Sequence, residues 1–161
     1  MALIRHGKIT EDRFADVSGL EEIPPDGAVI VSLAQWQAAR EQLTGRELGL
    51  RLRSDESPEL ISEDLDAFAV IALEFPVFRD GRAYSYARIL RESLGYSGEL
   101  RAVGEVLLEQ LHFMLRVGFD AFELDSEDPE RDYRTAAEEF TAWYQPAADG
   151  RPTAVQLRLR G

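Results

Sequence analysis

The sequence predicts an α/β domain built on a mainly parallel sheet, and three observations predict it. Short apolar, β-branched runs recur along the chain, a stretch of helical periodicity follows each, and capping or turn residues stand at the joints. Strand and helix alternate five times in units of roughly 20–30 residues, the spacing of right-handed β-α-β crossovers.

The first 26 residues read as a short extended preface to one domain over residues 1–161. Ala2–Ile4 with a turn at His6-Gly7-Lys8 suggests a strand or hairpin, and Pro24-Pro25-Asp26-Gly27 closes the preface. Ala28–Val31 is the first regular strand, and Ser32 caps a helix over 33–43. Leu48–Leu52 is the second strand, and Ser57-Pro58-Glu59 opens a brief helix with proline in its first turn. Phe68–Leu73 is continuously apolar, as in a strand buried on both faces. A helix over 83–94 stops at Gly95, a strand follows at Leu100–Val103, and a nearly all-apolar helix over 105–117 stops at Gly118. Phe119–Leu124 is the last main strand, and Asp128-Pro129 introduces a helix over 130–144. The tail 153–160 alternates Val155, Leu157 and Leu159 with Gln156, Arg158 and Arg160, the pattern of an edge strand. Such a strand pairs at a sheet edge or with another subunit, which leaves a homodimer open. Five units make either a doubly wound sheet or an incomplete barrel, and both put ligands at the carboxyl ends of the strands.

Composition narrows the chemistry. With no cysteine in 161 residues, disulfides, iron–sulfur ligation and thiolate nucleophiles are excluded, and only His6 and His112 supply imidazole. His112 sits in the apolar helix and reads as a packing residue. No glycine-rich dinucleotide fingerprint, phosphate loop or metal-type histidine spacing occurs, so no cofactor and no metal are expected. A net charge of −12 argues against nucleic acid. No apolar run approaches the ~20 residues of a membrane span. The start of the chain lacks the pattern of a signal peptide, so a cytoplasmic protein is expected.

Two groups of residues could carry function. Strand ends and the turns after them present Ser32, Arg53, Glu74, Arg82, Glu105, Glu123 and Asp125. Glu74 and Glu105 are the candidates for a general base. The second group is the arginine-bearing stretch from Phe78 to Gly104, where five arginines face three acids, a local positive excess in an acidic chain. Asp80-Gly81 makes a turn before a helix whose free N–H groups favour an anion; Arg82 lies beside it and Ser85 adds a hydroxyl. Arg88 and Arg91 share a helical face, with Tyr84 four residues before Arg88. Arg82, Ser85, Arg88 and Arg101 are therefore the candidate anion ligands, guanidinium being suited to oxyanions. The competing readings are arginines that neutralise nearby acids and a surface that docks a protein.

The run Phe78-Arg79-Asp80-Gly81-Arg82, continuing through Arg88-Ile89-Leu90-Arg91, Gly98-Glu99-Leu100-Arg101-Ala102-Val103-Gly104 and Gln110 to Gly118-Phe119-Asp120, resembles a bacterial family of unknown function. Its members carry the label "probable oxidoreductase involved in sulfite reduction", and their genes often lie beside those of assimilatory sulfite reductase. Glu109 departs from the family, where aspartate is expected before the glutamine. The resemblance implies an accessory protein of sulfate or sulfite assimilation, with sulfite reductase or its electron supply as partner. It carries no catalytic residues over. Without cysteine the chain is not the reductase itself. The alternative is a small enzyme for an anionic or phosphorylated metabolite, with Arg82, Ser85 and Arg101 holding the anion.

Overall fold

The computed structural model describes residues 1–76 and 80–141. The proposed edge strand at 153–160, and Phe78 and Arg79 of the arginine-bearing stretch, lie outside the described residues. Among the described residues eight strands form one sheet: β1 (Ala2–Arg5), β2 (Lys8–Thr10), β3 (Ala15–Asp16), β4 (Val29–Ser32), β5 (Leu48–Leu52), β6 (Phe68–Phe75), β7 (Glu99–Gly104) and β8 (Ala121–Leu124). Four α-helices accompany them: α1 (Leu33–Leu43), α2 (Arg82–Arg88), α3 (Leu111–Val117) and α4 (Pro129–Thr141).

The strand order is β2-β1-β8-β7-β6-β5-β4-β3. From β3 to β8 each strand lies parallel beside its predecessor. The order never reverses, so the sheet is a half-barrel rather than a doubly wound sheet. Right-handed crossovers that always step the same way place their helices on one face. That face carries the main core, in which Leu50, Leu73, Leu100 and Phe122 pack against Trp36, Ala87, Leu90, Leu111 and Met114. The other face carries the sheet's charged residues Arg51, Glu74, Glu99, Arg101 and Glu123 together with a small separate cluster of Phe14, Ile30 and Val70. Gly49 lies beneath that cluster, where a Cβ would stand 2.8 Å from the Ile30 side chain.

The expected preface proves to be part of the sheet. β1 and β2 form the hairpin, β1 pairs antiparallel with β8, and β3 extends the opposite edge. The count of five β-α units is not met as such, because the β5–β6 crossover carries two 3-10 turns, Pro58–Ile61 and Leu65–Ala67, and no α-helix. Ser32 caps α1 with a full capping box, exchanging hydrogen bonds with Gln35. The third helix begins later than its apolar pattern predicts, at Leu111 after a 3-10 turn over Leu108–Gln110. Between α2 and β7 the helix widens into a π-segment over Ile89–Ser93. Among the described residues no helix is long and apolar enough to cross a membrane.

Candidate functional site

Alternation along the strands decides where the predicted residues point. On β7, Leu100 and Ala102 enter the helix-side core, so Glu99 and Arg101 between them face the polar side. The Arg101 side chain is 0% exposed. Its guanidinium donates to Asp12 at 2.7 Å and to Glu99 at 2.9 Å, with Glu123 3.7 Å away. Glu99 also accepts from Arg5. Further along the strand ends, Arg51 donates to Asp16 at 2.8 Å and to Glu74 at 3.0 Å.

Two hollows flank these ion pairs. One, of about 540 Å3, is lined by Asp16, Ser18, Ser32, Arg51, Arg53 and Glu74. The other, of about 480 Å3, lies beside Leu3, Thr10, Asp12 and Glu123. Burial would push the Asp16 carboxyl up, but hydrogen bonds from Ser18 and the Arg51 guanidinium hold it below its usual value. Glu123 moves the other way: burial raises its carboxyl despite the attraction of Arg101. The two predicted bases do not meet. Glu74 is engaged by Arg51, whereas Glu105 is exposed beyond Gly104, lines neither hollow, and has its N–H bonded to the Phe75 carbonyl.

At the start of α2 the anion is the chain's own. The Asp80 carboxylate accepts from the Arg82 backbone N–H at 3.1 Å and from the Arg82 guanidinium at 2.8 Å. Arg82 also donates to the Ser54 hydroxyl at 3.1 Å. Its guanidinium holds Asp80 well below the usual carboxylate range. Ser85 is exposed and caps nothing; the N-cap position is Gly81. Arg101, on the opposite sheet face from α2, takes no part here.

Arg88 and Arg91 do not share a task, because the π-segment turns Arg91 away. Arg91 donates to the carbonyls of Gly118, Tyr96 and Gly98, at 3.1, 2.8 and 2.8 Å, and pairs with Asp120 at 3.5 Å. Asp120 in turn accepts from the Leu100 N–H. Gly118 closes α3 in the left-handed region (φ +108°), and a Cβ there would stand 2.6 Å from the Arg91 stem. Arg91 is therefore a clamp joining the end of the α2 segment, the end of α3 and the start of β7.

Arg88 is placed differently. Its described ion pair is with Glu92 at 3.7 Å, and both side chains are about half exposed. A pair of that kind contributes about 0–1 kcal/mol. Arg88 borders a cleft of about 450 Å3 between α2 and α3, together with Tyr84, Gln110, Phe113, Arg116 and Val117. No described carboxylate lines this cleft, in contrast to both strand-end hollows. The Tyr84 ring packs edge-on against Phe75, and its hydroxyl is buried with no hydrogen-bond partner. Burial pushes that hydroxyl up to about 12, so it stays a neutral donor. The Gln110 side chain makes no hydrogen bond among the described residues.

Sequence reasoning singled out Arg88 but missed Arg116, which is hidden in an apolar helix, and it missed the partners of Arg51 and Arg101. The visible signal was the polar residue at every second place in Leu48-Gly49-Leu50-Arg51-Leu52 and Glu99-Leu100-Arg101-Ala102.

No curated protein matches the sequence. The model of DUF934, a family of bacterial proteins of unknown function, matches residues 49–155, a span that takes in β5 to β8, the Arg91 clamp and the cleft, and the chain belongs to that family.

Proposed function

We propose that this chain is an accessory protein of assimilatory sulfite reduction, one that binds an oxyanion-bearing ligand in the α2–α3 cleft and works beside sulfite reductase or its electron supply. The observation that supports it best is the sorting of charge. In a chain of net charge −12, Arg88 and Arg116 border a cleft that no described carboxylate lines. The strand-end arginines are tied to acids at 2.7–3.0 Å, whereas the described acid partner of Arg88, Glu92, stands 3.7 Å away with both side chains half exposed. Guanidinium groups beside a half-apolar wall strengthen a charge-assisted bond to an anion, because the wall excludes water. The pathway comes from the resemblance in the Phe78–Asp120 stretch and not from this geometry.

The alternative enzyme needs Arg82, Ser85 and Arg101 around one anion, and these stand on opposite faces of the sheet. Calorimetric titration with sulfite, sulfate and phosphate tests the binding reading. Binding that Arg88→Ala weakens supports it; binding indifferent to Arg88 and to Arg116 contradicts it. Deletion of the gene tests the pathway. Unimpaired growth on sulfate, under conditions where sulfite reductase is required, would remove sulfur assimilation from the account.

A further inference from the structure

From the shape of the cleft we infer that its ligand is an organic oxyanion: a carboxylate, sulfonate or phosphate attached to an apolar body, with a hydrogen-bond acceptor at the far end. The inference rests on reading the cleft as an anion site and adds the class of molecule. Three observations carry it.

The first is size. The cleft measures about 450 Å3. That lies within the ~300–1,000 Å3 typical of sites for small organic ligands, and a bare tetrahedral ion would leave most of it to water.

The second is the layout of polar groups. α2 and α3 both run back from the carboxyl ends of parallel neighbouring strands, so they lie side by side in the same sense. Tyr84 and Gln110 stand near the starts of these helices, and Arg88 and Arg116 near their ends. From Gln110 to Arg116 the helix rises by about 9 Å at ~1.5 Å per residue. Phe113 lies between them on the same helical face, followed by Val117. The site thus has a cationic end, an apolar middle and a neutral hydrogen-bonding end, spaced too far apart for one inorganic ion to touch both ends.

The third is Tyr84. A buried hydroxyl is almost always hydrogen-bonded, and leaving one unsatisfied is costly. The Tyr84 hydroxyl has no partner in the free protein while its ring lines the cleft. A ligand acceptor at that end supplies the missing bond.

The test is a calorimetric series on the full chain with sulfate, benzenesulfonate, 4-acetylbenzenesulfonate and neutral benzyl alcohol. Benzenesulfonate should bind about tenfold or more tightly than sulfate, because its ring is buried on Phe113 and Val117. The acetyl group should tighten binding further. Arg88→Ala should weaken both sulfonates, while benzyl alcohol binds least among the aromatic probes. Tyr84→Phe should erase the gain from the acetyl group and leave the melting temperature of the free protein unchanged or higher, since it removes an unpaired hydroxyl. A merely structural role for Tyr84 would show the reverse. Equal affinity for sulfate and benzenesulfonate overturns the inference and leaves the anion site standing. Equal affinity for benzyl alcohol and benzenesulfonate, or binding of none of the four, overturns both.

Discussion

The polar face of the half-barrel and the cleft between α2 and α3 use the same residue type to opposite ends. On the sheet, Arg101 and Arg51 each meet two or more carboxylates, and those bonds fix where the side chains lie. In the cleft, Arg88 and Arg116 line a space without a described carboxylate, and Tyr84 lines the same space with its buried hydroxyl unbonded. The difference teaches that arginine content alone does not locate a binding site. Where carboxylates meet a guanidinium on the sheet, the arginine is consumed by the structure, whereas Arg88, whose described ion pair with Glu92 is long and half exposed, keeps its guanidinium within reach of a ligand. Arg91 belongs to the first kind although it stands three residues from Arg88, because the carbonyls it serves are those of its own chain.

The strongest way to break this comparison is to remove Arg101. Arg101→Met leaves the carboxylates of Glu99, Asp12 and Glu123 facing one another without their cation. Loss of one partner from a buried ion pair costs ~3–5 kcal/mol, and the lower end, about 3, applies here because Asp12 and Glu123 reach solvent. Urea denaturation should show that loss as a shifted midpoint with the slope unchanged. A loss below about 1 kcal/mol would mean that Arg101 is not structural and would reopen it as a ligand.

A smaller effect sharpens the account of the polar face itself. Glu123 is raised above its usual 4.5, so the stability linked to its proton is present below that value and is lost as pH rises through the folded-state value. Asp16 is lowered below its usual 3.8, so its contribution is present above that value and is lost as pH falls through the folded-state value. Relative to wild type, Glu123→Gln should therefore gain stability as pH rises above 4.5, and Asp16→Asn should lose its deficit as pH falls below 3.8. Stability measured across pH for both variants checks the signs. Parallel slopes would show that the two carboxyls do not occupy the opposed environments described.

Much of the fold was legible. The apolar run Phe68–Leu73 marked β6, and Ser32 with Gln35 marked the start of α1, because these signals are local. Whether the sheet was doubly wound or a half-barrel was not decided by the strands. Arg51 and Arg101 at alternate places fit helices on one face only, whereas the continuous apolar run of β6 reads as a strand covered on both, and only the strand order separates the two. The site was less legible, for reasons that lie in tertiary structure. Asp80, only two residues away, takes Arg82 out of play, yet whether a turn closes onto its own carboxylate depends on backbone geometry. The π-segment that separates Arg91 from Arg88 has no counterpart in hydrophobic period. The cleft itself joins Tyr84 and Arg88 to Gln110 and Arg116, residues that are brought together by the packing of two crossovers and by no motif.

The claim that ligand binding belongs to the cleft and not to the strand ends is tested most directly by chemical-shift mapping of the labelled protein with benzenesulfonate. The account predicts saturable shifts at Tyr84, Arg88, Gln110 and Phe113, with Ser18, Ser32, Arg51 and Glu74 unmoved. Saturable shifts at the second set, with the first set silent, would contradict it.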